Sequence, residues 1–344
     1  MKENYGAWTI NLRDFYTKSQ TVDKLKFLIK FAVLAPSSHN SQPWSFEVSG
    51  GQIILSPDFS RALPASDTNH RQLYISLGCA LQNILVAADY YGVKLGVNFF
   101  PNNHNEIVLT AGQGEHPRDG DKKDHIIFSI LTRHTNRSKY SAQIPDSNFL
   151  SWLRSQGNQD FKIDIIGSGA TKDLISDVVV AANVAATRDK DFRRELSQFL
   201  KSNITKSKLG MPMFGFGMPT PISLMAPWFV KNFNVNRLSQ KEDTRLLKEF
   251  TPTFVVISGR GDTKNDWVRV GQLLESIALN AEREGLRIAP MAAAIQIGEY
   301  YKELQKAVNT HDRPLVFFRL GYSDRVTKHS PRLPVGEVIK NDKS

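Results

Sequence analysis

Residues 77–88, Leu77-Gly78-Cys79-Ala80-Leu81-Gln82-Asn83-Ile84-Leu85-Val86-Ala87-Ala88, recur in pattern at 270–281, Val270-Gly271-Gln272-Leu273-Leu274-Glu275-Ser276-Ile277-Ala278-Leu279-Asn280-Ala281. In both copies apolar or small side chains fall at i, i+3, i+4, i+7, i+8 and i+11, the spacing of a helix buried along one stripe. Many amphipathic helices share that spacing. Here Gly78 and Gly271 also occupy the same place, Gly92 and Gly285 follow each copy, and Val93 and Leu286 then open short apolar strands. Together these features make an internal repeat. A chain of 344 residues is roughly twice a typical domain, so the repeat predicts two fused halves, residues 1–120 and 125–344. The polar, glycine-bearing run 112–124 is the best linker.

Around the repeated helices, strand-like and helical stretches alternate. This predicts an α+β protein whose halves each carry a mixed or antiparallel sheet covered by helices. Strands are expected at Gln52–Ser56, Glu106–Thr110, Phe161–Ile166, Thr253–Ser258 and Leu315–Leu320. Thr21 is a candidate cap for a helix with the apolar stripe Val22, Leu25, Leu28, Ile29, Ala32 and Val33, stopped by Pro36.

Composition narrows the function class. With 41% hydrophobic residues the chain can bury a full core, and no apolar run reaches the roughly 18 to 20 residues of a membrane span. The first residues lack the apolar core of a secretory signal, and the single Cys79 can form no intrachain disulfide, so a cytoplasmic, soluble protein without membrane contact is expected. Cysteine-based metal centres are excluded, and the 8 histidines show no paired ligand spacing. The net charge of +10 is uneven, with 12 basic and 12 acidic residues up to Asp124 and 32 against 22 beyond it. No nucleic-acid-binding signature accompanies the excess, so no nucleic-acid partner is expected and part of the excess suits a small anionic ligand.

Two motifs suggest that ligand. Ala35-Pro36-Ser37-Ser38-His39-Asn40-Ser41-Gln42-Pro43-Trp44 offers hydroxyls, carboxamides and close backbone approach. Arg133-His134-Thr135-Asn136-Arg137 offers two guanidinium forks around a hydroxyl, the chemistry that grips a phosphate monoester. In an extended segment Arg133, Thr135 and Arg137 share one face, while His134 and Asn136 point away. A solvated basic loop is the plain alternative.

The paired motifs resemble the nitroreductase family of flavoproteins, in which a Pro-Ser-Ser-x-Asn-x-Gln-Pro-Trp stretch of one subunit meets an Arg-x-Ser/Thr-x-Arg/Lys stretch of the other over one FMN. Here both lie on one chain, which looks like a covalent copy of that dimer and is most similar to the long, lid-bearing Acg-like branch. The resemblance implies FMN as cofactor, NAD(P)H as a possible electron donor and a small-molecule substrate. It assigns Pro36, Ser37, Ser38, Asn40 and Gln42 to the flavin from the first half, and Arg133, His134, Thr135 and Arg137 to its phosphate end. Pro43 and Trp44 would shape the loop from beneath. Ser330-Pro331-Arg332-Leu333-Pro334 resembles the family's terminal basic residue, adding Arg332, although Ser330 stands where a lysine is common. Pro290, Met291 and Ala292 match the stretch that carries backbone donors to the flavin edge, with Ala292-Ala293 in place of the usual Glu-Gly. The counterpart of the arginine motif at Asn11–Tyr16 is eroded, so one flavin per chain, in a monomer acting as a pseudo-dimer, is implied.

Between Lys208 and Phe233 the chain is rich in Gly, Pro, Met and Phe. These residues argue against a regular helix and supply adaptable apolar surface. The resembled branch has a lid here, so an insertion at about 207–237 is expected to cover the site through Met213, Phe214 and Phe216. A loop packed on the core, or an apolar surface for a membrane or partner, are the alternatives. The implied activity is FMN-dependent oxidoreduction from NAD(P)H to a small electrophile, with no assignable catalytic acid or base. The alternative is a flavin store under a closed lid.

Overall fold

The computed structural model describes residues 3–112, 124–234, 236–325 and 328–340. The proposed linker therefore lies almost wholly outside the described residues.

In chain order the elements are α1 (Thr21–Ala32), β1 (Trp44–Ser49), β2 (Gln52–Pro57), α2 (Arg71–Tyr91), β3 (Leu95–Phe99) and β4 (Ile107–Ala111). There follow α3 (Ile127–Thr132), α4 (Ser147–Ser155), β5 (Phe161–Ile166), α5 (Ala170–Arg188), α6 (Lys190–Phe199), β6 (Leu200–Lys201) and β7 (Met211–Pro212). The chain continues with α7 (Thr220–Asn232), α8 (Asn236–Glu249), β8 (Thr253–Gly259), α9 (Lys264–Arg283), β9 (Arg287–Pro290), α10 (Ala293–Gln296), α11 (Tyr300–Ala307) and β10 (Arg313–Gly321).

Two four-stranded antiparallel sheets run β1-β2-β4-β3 and β5-β8-β10-β9. Element for element, β5, β8, α9, β9 and β10 repeat β1, β2, α2, β3 and β4, as the sequence repeat predicts. The halves differ in what joins their first two strands. In the first, Gly50-Gly51 makes a two-residue hairpin with both φ positive (53° and 76°), a turn that side chains disfavour. In the second, the same connection is the excursion 167–252, which holds α5 to α8.

The repeated helices α2 and α9 cross at the centre of the largest apolar cluster, which draws on both sheets. The crossing is at the paired glycines. A Cβ on Gly78 would lie 2.9 Å from Gly271 Cα and collide with the Val268 carbonyl. Although α2 is long and apolar enough to cross a membrane, it is a mostly buried core helix. A second cluster packs α5, α10 and α11 on the other face of β8 and β10. A third, small one sits between α6, α7 and β6–β7.

The five expected strands form, within a residue or two of the expected bounds. Local signals misplace two helix ends. Thr21 is the first helical residue and Gln20 holds the cap position without a side-chain bond, while α1 stops at Ala32, short of Pro36. The expectation of no regular helix within 208–233 is also corrected by α7. Pro221 falls in its first turn, where a missing N–H costs nothing, and Pro227 removes a single bond further in.

Candidate functional site

The loop after α1 holds three non-glycine residues at positive φ, His39 (53°), Asn40 (55°) and Gln42 (52°). Such backbone persists where surroundings over-determine it, and here three distant segments do so. The Asn40 carboxamide donates to the carbonyls of Gly210 and Pro331, both at 2.9 Å, and accepts from Arg332 at 2.7 Å. Gln42 donates to Lys208 O at 2.8 Å and accepts from Leu333 N at 2.9 Å. Arg61 Nε donates to Gln42 O at 2.8 Å, and Ser37 Oγ accepts from Gln42 N at 2.9 Å.

Two adjoining hollows open beside this loop. The smaller, polar one is lined by Pro36, Ser37, Asn40, Arg133, His134, Thr135, Arg137 and Arg332, with Trp8, Phe214 and Lys328 among its other walls. The larger has a volume of about 480 Å³, within the range of small-molecule sites. It shares Pro36, Ser37, Thr135, Arg137 and Met211 with the smaller and adds Ser38, His39, Phe216, Pro290, Ala292 and Ala293.

The electrostatics of the polar hollow are unbalanced. Arg133 is buried, 3.2 Å from the buried carboxylate of Glu275, and also donates to Leu34 O. Arg332 is buried, donates to the same Leu34 carbonyl at 3.2 Å, and among the described residues its Nε has no hydrogen-bond partner. Arg137 meets, among the described residues, the Met211 sulfur at 3.6 Å and the Phe216 ring at 4.9 Å. Among the described residues, three guanidiniums thus answer to one carboxylate. Burial and then the repulsion of Arg133 push the Arg332 pKa down to about 9; burial lowers Arg137 to about 10. Burial of Glu275 raises its pKa, with Arg133 opposing. His39 and His329 are both pushed down to about 4, first by burial and then by effects that include nearby arginines. Both imidazoles are therefore neutral near pH 7, and the positive charge resides on arginine and Lys328.

Most of the expected residues converge. Gln42 does not: it is fully buried under the loop with both ends of its amide occupied. Met291 packs against the second cluster and Met213 sits in the third, so neither lines a hollow. Asn40 lines the polar hollow, yet its carboxamide is committed to Arg332 and two carbonyls. Contrary to the alternation expected of an extended strand, His134 also faces that hollow. Lys328 lines it two residues before Ser330, so a lysine is present after all, at another position.

Several walls were missed in the sequence. Gln72, Ile75, Ser76 and Cys79 come from the N-terminal half of α2. Asn183 and Thr187 of α5, Phe192 and Leu196 of α6, and Asp243 of α8 close the far side. Glu275 carried a readable signal, an acid inside the apolar repeat. Among the described residues no cluster of His, Cys, Asp and Glu is arranged to hold a metal.

No protein-family model matches the chain. A protein of Mycobacterium tuberculosis provisionally named NAD(P)H nitroreductase acg is 24% identical over 329 residues, 93% of this chain and 96% of its own. A second protein of that organism, with the same provisional activity in its name, is 24% identical over 318 residues, 92% of this chain and 90% of its own. Among solved structures, a provisionally assigned nitroreductase of Anabaena variabilis aligns over 91% of both chains with a TM-score of 0.51 and 10% identity. The nitroreductase-like fold and the Acg-like resemblance are borne out.

Proposed function

We propose that this chain, nitroreductase-like in fold and similar along its length to Acg-like relatives, is an FMN-dependent oxidoreductase passing electrons from NAD(P)H to a small electrophilic acceptor. The observation that carries the reading is the excess of guanidinium charge, with Arg133 and Arg332 buried and Arg137 half-buried, in a polar hollow opening into a larger, mostly apolar one. Buried charge without a counterion is costly; Glu275 answers Arg133, and a phosphate monoester supplies the counter-charge for Arg332 and Arg137. The adjoining cavity suits a flat aromatic ring between Pro36–His39, α2 and the Pro290–Ala293 turn. Bound there, FMN would supply two-electron redox chemistry. The protein's part is to anchor the phosphate, shape the acceptor space and limit water.

The combination of both motifs on one chain supports one FMN in a monomeric pseudo-dimer, with residues 207–237 contributing cover through Phe214 and Phe216. Acquisition of FMN by the purified chain, followed by anaerobic bleaching with NADH or NADPH, tests the reading. A protein that neither retains nor takes up FMN refutes it. A flavin-storing protein with little turnover is the second reading, favoured by the fixing of α6 over the cavity. The buried Glu195 carboxylate accepts from Ala65 N at 2.8 Å and Ser66 N at 3.0 Å. Flavin that binds but resists both nicotinamides would select this reading.

A further inference from the structure

We propose that the outer face of α7 docks this protein onto an anionic membrane surface. Ile222, Met225 and Phe229 form one row along the helix and Leu224 and Trp228 the next, all between 43% and 57% exposed, with Phe233 at 51% just beyond. Ala226 and Val230 point the other way, into the small third cluster, and Ser223 is buried. Trp228, Phe229 and Phe233 pack edge to edge in the open, with ring centroids 5.1 to 5.8 Å apart. Six large apolar side chains on one short face form the kind of patch that marks an interaction surface.

Charge identifies the occupant. From Leu196 to Lys241 the sequence contains no aspartate or glutamate but has Lys201, Lys206, Lys208, Lys231, Arg237 and Lys241. Lys206 and Lys231 are exposed and, among the described residues, have no acidic partner; Lys208 reaches out to Glu337 instead. A second copy would set one basic, acid-free stretch of chain against another in a chain whose net charge is already +10. Anionic headgroups answer the lysines, and the acyl boundary answers the Trp, Phe, Leu and Ile side chains. The helix rests on α6 and on the 211–216 segment, whose Met211 and Phe216 line the larger cavity. Docking would therefore bring the cavity roof to the lipid boundary.

The test is co-sedimentation of the full chain with phosphatidylcholine vesicles and with vesicles containing about one-third phosphatidylglycerol, at low salt and about 0.5 M salt. Binding to the anionic vesicles is expected, weakened at least about tenfold by neutral lipid or by salt. The double substitution Trp228→Ser with Phe229→Ser, at exposed positions, should abolish it with an unchanged circular dichroism spectrum and melting curve. Lys206→Glu with Lys231→Glu should weaken it at least about tenfold by a separate route. Failure of the unaltered chain to pellet with anionic vesicles overturns the proposal, as does full binding by either double variant. A concentration-dependent dimer that the Trp228 and Phe229 changes dissolve, without lipid binding, assigns the face to a second copy and overturns it too.

Discussion

Gly78 and Gly271 touch backbone to backbone where α2 and α9 cross, each blocking the space a Cβ on the other would need. These two positions are equivalent in the sequence repeat, so the approximate twofold relation between the halves passes through their contact. The largest core of the protein is assembled around this crossing.

Alanine at Gly78 or Gly271 is expected to destabilise the protein by about 3 kcal/mol, because the obstacles are backbone atoms that cannot rotate away. Gly336→Ala, with nothing within 4 Å of its Cβ, should change stability by less than about 0.5 kcal/mol. Urea unfolding of the three variants measures both.

Arg137→Ala is the cleanest probe of the proposed phosphate site, since among the described residues Arg137 has no carboxylate or carbonyl partner to orphan. Losing one charge-assisted contact of about 1.5 to 3 kcal/mol should weaken FMN about 10- to 100-fold and leave riboflavin unaffected. Fluorescence-quenching titrations with both ligands make the comparison, and equal losses would remove Arg137 from the phosphate.

Glu195→Gln should loosen the cover without emptying the site. Its carboxylate holds two backbone N–H groups of the 65–66 turn, and also Ser66 Oγ. Faster hydrogen exchange at Ala65 and Ser66, with greater iodide quenching of bound flavin, is expected. Unchanged exchange would show that α6 is held elsewhere.

Acid should weaken the fold between about pH 6.5 and pH 4 through His39 and His329. Their pKa values are about 4 in the folded protein against an ordinary value near 6.5, so the unfolded chain binds more protons across that window. Stability therefore rises with pH there and is lost as pH falls. His39→Asn, which tolerates the left-handed backbone, should flatten part of this slope in denaturation curves recorded at several pH values.

The repeat, the five strands and the segments around the cavity were legible because each rests on local periodicity or on residue chemistry within ten positions. The roof was not. Asn183, Thr187, Phe192 and Leu196 belong to ordinary amphipathic helices, and nothing in their spacing says which face meets a cavity. Asn40 and Gln42 were visible as polar residues in a motif. Their partners lie at Gly210, Pro331, Lys208 and Leu333, and such long-range pairings leave no trace in a local window. The helix α7 was missed because proline is a breaker on average but is tolerated in a first turn.

The hydrogen bond from Arg332 to Asn40 joins residues 292 positions apart, and this has a consequence for biosynthesis. The loop after α1 emerges early from the ribosome, but its strained backbone waits for carbonyl and guanidinium partners from 208–210 and 331–333. Until those residues have been translated, the polar hollow has two of its three arginines and an unsupported wall. A nascent chain would thus have little grip on a phosphate-bearing ligand, and capture would be a late event gated by closure of this long-range contact.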